Sequence, residues 1–374
     1  MKKILRQRIQ EDFMARKKYV AYVGSYSYTG DAKGITLYDV DVENGTFKRR
    51  CEVEVDNSSY VIASHNQKTL YSIADEGIVS FRILENGAIS RLNVRNIKGM
   101  RGCHLSTDAE DRYIFVSGSH DGKLTALALE KDGSVGAICD GVYHKGLGSI
   151  AERGSRPHIT CAKRTPDGNF VMAADPGIDQ VTIYRFDDAE QKLLLADAIR
   201  CEQQSAPRYF AFSQDGRFLY IMYEMKNVIE VYSYHYTEND RTPEIEKVQE
   251  VATTGYNNPN QLTAATCLTF TEDDNYVFCG NAGDNTVSLF SRDKKNGMLT
   301  CLFNLPISGE YPKDVAIFPD GKHIVSINHE SGSLTFFKVD YENKLLIMSS
   351  TEVPVNQPNC CVMVATGMPS KTAR

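Results

Sequence analysis

The chain has 374 residues, with 42 Lys and Arg against 48 Asp and Glu, a net charge of -6, ten cysteines and no tryptophan. Its scattered basic residues argue against nucleic acid or an anionic membrane as partner, no apolar run approaches the roughly 20 residues of a membrane span, and the absent Trp removes the signature of WD-repeat scaffolds. Without a C-x-x-C pair, and with Cys161, Cys279 and Cys301 in apolar strand contexts, the cysteines read as buried reduced thiols of a cytoplasmic protein.

Residues 1–17 mix Lys2, Lys3, Arg6, Arg8, Glu11, Asp12, Arg16 and Lys17 without the apolar centre of a signal peptide. They predict a charged tail or short surface helix ahead of one folded unit over 18–366, with 367–374 as a second tail. Within that unit one phrase recurs seven times: a short strand, an Asp/Asn/Gly turn, a second strand, a break, an alternating third strand, and a fourth. The first strands begin at Ser58, Gly102, Arg156, Ala206, Thr266, Tyr311 and Gln357. Third strands such as Gly34 to Tyr38, Gln180 to Tyr184, Thr286 to Phe290 and Ser333 to Phe337 alternate β-branched or aromatic residues with others, as strands do. Asn44-Gly45, Asn86-Gly87, Asp132-Gly133 and Asn296-Gly297 mark the hairpins into fourth strands, where Gly supplies the positive φ.

This period predicts an all-β, seven-bladed β-propeller with four antiparallel strands per blade, about 28 in all. A propeller packs blade against blade, so one domain of this length is feasible. The first strand, Tyr19 to Ser25, has the character of a second strand, and the last, Pro358 to Val364, that of a first. One blade is therefore shared between the two ends of the chain, closing the ring and its open edge.

Folding each first and second strand as a hairpin makes positions equidistant from the turn neighbours. Arg208 then meets Glu224, His158 meets Asp175, His104 meets Ser119 and His120, Tyr60 meets Asp75, Thr266 meets Asn281, Lys313 and Asp314 meet Asn328 and His329, and Asn359 meets Ser25 and Tyr26. A lone rim ion pair contributes less than about 1 kcal/mol; the convergence of seven polar pairs on one channel mouth is what points to a site. His144 and His235 fall outside it and read as surface or loop residues. Gly146-Leu147-Gly148 lacks the strand-turn-helix setting of a phosphate loop, and no Gly-x-Ser-x-Gly elbow occurs. Asp75, Asp175, Glu224, Asn281 and Asn328 offer oxygens to a divalent cation, but from separate blades, so the expectation is a site without metal or cofactor.

The segments Arg156-Pro157-His158, Ala174-Asp175-Pro176-Gly177-Ile178-Asp179, Ala206-Pro207-Arg208-Tyr209 and Tyr223-Glu224-Met225, with Gly24-Ser25-Tyr26-Ser27, resemble the lactonase family of seven-bladed propellers. That family contains propeller-type 6-phosphogluconolactonases and fungal carboxy-muconate cyclases. Its motifs are His-Pro-His, Asp-Leu-Gly-x-Asp, Gly-Pro-Arg-His, Glu-Leu and Asn-Arg-Gly. The resemblance implies catalytic roles for His158, Arg208 and Glu224. This chain departs at Arg156, where the first histidine stands in the family, at Tyr209, which replaces the histidine after the arginine, and at Ala282, which replaces the arginine of Asn-Arg-Gly.

The reading is a lactone hydrolase acting on a small anionic sugar lactone. Glu224 or His158 serves as base and Arg208 as anion or oxyanion partner, Asp175 orients His158, and Arg156 or Lys313 supplies the replacement cation. Tyr209, His104, Asn281 and Asn328 complete the expected binding surface. Two other readings share the fold: a non-catalytic propeller that binds a metabolite or protein through the same mouth, and a muconate-type cycloisomerase, which the missing arginine at Ala282 disfavours.

Overall fold

The structure, a computed structural model, describes residues 18–148, 156–255 and 262–367. The predicted charged segment 1–17 lies outside them, as do residues 368–374. The described residues form seven antiparallel sheets and no helix. Blade 1 is the shared one: Pro358–Thr366 is innermost, followed by Lys18–Ser25, Gly34–Asp41 and Thr46–Glu54, with Lys18 opposite Thr366 and Ser25 opposite Pro358. Blades 2 to 7 follow in chain order, opening at Val61, His104, Cys161, Pro207, Ala264 and Pro312.

Among the described residues the strands number 29 rather than 28, because the outer strand of blade 7 is split into Leu345–Met348 and Val353–Pro354, both paired with Ser333–Asp340. Met348 opposes Phe337 and Val353 opposes Leu334, so the outer chain advances five residues while its partner advances three. The surplus loops out.

Seven apolar clusters fill the seven blade interfaces. Second strands such as Phe170–Asp175 and Phe218–Tyr223 are buried throughout, since each is covered on both faces. The alternation of the third strands, read from sequence as a strand signal, divides side chains between two neighbours. Ile35 and Leu37 pack towards blade 2 while Tyr38 packs towards blade 7. Around the channel the inner strands are tied together: Ser106 Oγ donates to Ala162 O at 2.7 Å, Thr160 Oγ1 to Arg208 O at 2.6 Å, and Thr269 Oγ1 to Val315 O at 2.9 Å. These bonds hold the level of one blade against the next, so residues at equivalent positions share a plane.

Candidate active site

Four inner strands break register at the same level. Pro207 pairs with Tyr223 and Tyr209 with Met222, leaving Arg208 as the extra residue; Thr266, Lys313 and Asn359 are extra in the same way. A bulge leaves its additional residue out of the ladder and re-aims the side chain. Ahead of three of these bulges the chain is left-handed and then proline: Ala206 (φ 55°), Tyr311 (φ 59°) and Gln357 (φ 44°) precede Pro207, Pro312 and Pro358. Such backbone costs about 1–3 kcal/mol per residue and survives where its surroundings over-determine it. Here the preceding blade does so. Asp179 accepts from Gln204 N at 2.8 Å and Ala206 N at 2.9 Å, and Asn285 Oδ1 accepts from Tyr311 N at 2.8 Å.

Arg208 and Lys313 are thereby set in the mouth beside Glu224, whose own N–H donates to Ala206 O at 2.8 Å. Arg208 Nη1 donates to Glu224 Oε2 at 2.8 Å, with the glutamate side chain only 5% exposed. This carboxylate pushes the Arg208 pKa further up, against the opposite effect of burial. For Lys313 the balance is reversed: burial, and then the Arg208 charge, push it down to about 8, with Glu224 and Glu330 opposing. Its Nζ lies 5.4 Å from the centre of the Tyr311 ring. Burial and then Lys313 also lower the pKa of His329, whose Nδ1 is 3.1 Å from Pro358 O. Tyr26, bonded by Asn359, packs on His329 with ring centres 5.8 Å apart, and the Arg101 guanidinium covers its ring at 5.2 Å.

His158 is brought to Asp175, but through its main chain. Asp175 Oδ1 accepts from His158 N and Gly177 N, each at 2.9 Å, while Oδ2 meets His144 Nδ1 at 2.7 Å. His144, read from sequence as a surface or loop residue, is thus the buried imidazole partner of this carboxylate. It lies in the connection between blades 3 and 4, and nothing in the local sequence marks it. A Cβ on Gly177 would come within 2.6 Å of His158 Cδ2 and 1.9 Å of Arg156 O, so glycine there lets the turn close against the histidine ring.

Several expected members stand elsewhere. Asn281 is fully buried inside its blade, donating to Thr253 O at 3.0 Å and Ser288 Oγ at 3.1 Å. Asn328 likewise accepts from Ser326 Oγ at 2.7 Å and donates to Thr335 Oγ1 at 3.0 Å. Both point into sheet because they stand where Tyr223 does, one position short of Glu224: Asn281 opposes Ala265 and Asn328 opposes Pro312, as Tyr223 opposes Pro207, and successive side chains along a strand point to opposite faces. His104 pairs with Ser117, and it is Cys103 that meets Ser119. Asp75 takes Asn57 Nδ2 at 2.8 Å and Arg101 Nη1 at 3.0 Å rather than Tyr60. Arg156 is exposed and makes no ion pair among the described residues.

His104 and Tyr209 belong to a layer below Arg208. Tyr60 and His104 rings lie 4.8 Å apart, His104 and Tyr209 5.7 Å, and Tyr209 Oη accepts from Lys163 Nζ at 2.8 Å. Burial, then Lys163, hold His104 well below its ordinary pKa, so it is neutral. A cavity of about 3230 Å³ opens on the opposite mouth and climbs the channel to Tyr60 and Asp314. Arg208, Glu224, His158 and Lys313 are not among its walls, so the charged cluster occupies the other end of the channel. Among the described residues no group of three or more His, Cys, Asp or Glu side chains is placed to hold a metal ion.

The family described as lactonase, 7-bladed beta-propeller, matches residues 20–363. The chain belongs to the lactonase family of seven-bladed β-propellers. A 6-phosphogluconolactonase of Bacillus subtilis (strain 168) is 28% identical over 352 residues, covering 92% of this chain and 97% of the relative. Another protein of that name, from Formosa agariphila, is 25% identical over 348 residues, or 90% and 96% of the two chains. Among solved structures, a proposed 6-phosphogluconolactonase of Bacteroides fragilis superposes with a TM-score of 0.83 at 26% identity, covering 93% of this chain and 98% of that one. The periplasmic gluconolactonase of Pseudomonas aeruginosa, at 24% identity and a TM-score of 0.86 over 93% and 99% of the chains, shares the fold. Membership in the lactonase family agrees with the lactone-hydrolysing enzyme expected from sequence. It leaves the propeller in place and the particular lactone to the chemistry of the mouth.

Proposed function

We propose that this lactonase hydrolyses a phosphorylated sugar lactone of the 6-phosphogluconolactone type at the mouth formed by Arg208, Glu224, His158 and Lys313. The observation that carries the reading is the 2.8 Å contact of Arg208 with Glu224 beside a second, separately placed cation, Lys313. Lactone opening requires a base for the attacking water and a donor for the oxyanion formed at the carbonyl. Glu224 takes the proton from water as the oxygen bonds to the lactone carbonyl, and Arg208 faces the oxyanion. Collapse breaks the bond to the ring oxygen, which receives the proton back from Glu224. His158, on the segment leading into the inner strand of blade 4, is the alternative base. Lys313 takes the substrate's remote phosphate, with Arg156 on the exposed rim as the other candidate cation. Ten unpaired cysteines suit a cytoplasmic setting for this reaction.

The cyclisation reading needs further cations for a dianionic muconate. Ala282 is buried and supplies none, so hydrolysis is preferred. Purified protein assayed with 6-phosphogluconolactone is expected to exceed the spontaneous rate, with Glu224→Gln and Arg208→Ala both impaired. No acceleration, together with ligand-induced thermal stabilisation, would instead identify a binding propeller.

A further inference from the structure

We propose that His144 is a positioning residue of the catalytic mouth, acting through Asp175 to fix the main chain that carries His158; this rests on the lactonase reading of that mouth. An ionised aspartate only accepts hydrogen bonds, so the 2.7 Å contact places the proton on His144 Nδ1. Both side chains are sealed from solvent, at 2% and 0% exposure. The other ring nitrogen, Nε2, is buried without a hydrogen-bond partner, and the ring lies against Tyr184 with centres 6.0 Å apart. A buried imidazole that leaves one nitrogen unsatisfied is a costly way to fill space. What it secures is the orientation of one carboxylate.

That carboxylate is a junction. Its other oxygen holds His158 N and Gly177 N, so rotation about the Asp175 side chain would release both amides. The turn it opens ends at Asp179, which clamps Gln204 N and Ala206 N two residues before Arg208. His144 is itself tied to blade 3, its N–H donating to Gly122 O at 2.9 Å, and a Cβ on Gly122 would lie 2.9 Å from Pro157 Cβ and 2.9 Å from Pro157 O. The histidine therefore braces the blade 4 turn against blade 3 on the side where His158 enters the mouth. Misplacement of a reacting group by about 1 Å can cost about 10²-fold in rate, which is the scale on which such bracing acts.

The test uses full-length protein carrying His144→Leu or His144→Asn, assayed with the phosphorylated lactone well below each variant's melting midpoint. His144→Leu is expected to lower kcat about tenfold or more while KM stays within about threefold, the split that marks loss of transition-state geometry. His144→Asn, which retains a donor for Asp175, is expected to recover most of that loss. In the His144→Leu/His158→Ala double variant the losses should fail to multiply, as coupled sites do. A kcat for His144→Leu within about twofold of native, or losses that multiply, would overturn the proposal. Amide exchange over 156–162 and 172–180 in the free protein gives a readout independent of turnover. Faster exchange in His144→Leu supports the brace and unchanged exchange refutes it, whereas faster exchange in a protein that leaves lactones untouched keeps the brace and removes the lactonase reading.

Discussion

Arg208 Nη1 donates to Glu224 Oε2 across the first two strands of one blade, at 2.8 Å, and the arginine occupies a bulge rather than a regular ladder position. The pair is largely withdrawn from water, with side chains 24% and 5% exposed. Removing either partner therefore has consequences for folding as well as for chemistry.

Arg208→Ala removes the 2.8 Å cationic partner of a buried glutamate, which is expected to cost about 3 kcal/mol of stability and, through loss of the oxyanion partner, about 10²-fold or more in kcat/KM. Glu224→Gln keeps the shape and removes the base, so its kcat should fall with a smaller change in stability. Denaturant midpoints alongside steady-state kinetics separate the two effects. An active Arg208→Ala variant would refute the assignment.

Lys313, pushed down to about 8, binds an anion only while protonated. KM for a phosphorylated lactone should accordingly rise as pH increases through about 8, while KM for the neutral gluconolactone stays level. Lys313→Met should raise the first KM about tenfold or more and remove that pH dependence. A parallel rise for both substrates would show that the lysine does not select phosphate.

Asn281 and Asn328 serve as the control for register. Because their amides satisfy sheet interior groups, replacement by Ala should cost about 1–3 kcal/mol each. The folded fraction should retain its kcat. Loss of turnover without loss of stability would return them to the substrate surface.

Asp314 accepts from Cys361 N at 3.0 Å, and burial raises its pKa from the ordinary 3.8 to about 6. Between those values the folded state binds more protons than the unfolded one, so this group makes stability fall as pH rises from about 4 to 6. Asp314→Asn should flatten the slope of melting temperature over that window. An unchanged slope would assign it to other groups.

Much of the site's address was legible in the chain. Counting outward from Asp215-Gly216 brought Arg208 to Glu224, although the ladder itself pairs Pro207 with Tyr223 and leaves Arg208 in the bulge. The same counting failed for Asn281 and Asn328, which oppose Ala265 and Pro312 just ahead of the bulges, the place Tyr223 holds, one position short of Glu224. It also mistook the neighbour of the Asp175 carboxylate, since Asp175 receives His158 through the backbone and takes its imidazole from His144, 31 residues away in the chain. Asp179 lay inside a recognised motif, yet its clamp on Ala206 could be seen only between blades.

Local chemistry alone settled the period, the turns, the sevenfold ring and the shared closing blade, because strand alternation and Gly-containing turns are short-range properties of the chain. Which polar groups face the channel was decided in three dimensions. Side-chain direction reverses with each residue of register, and here register depends on strained backbone that one blade holds in place for the next.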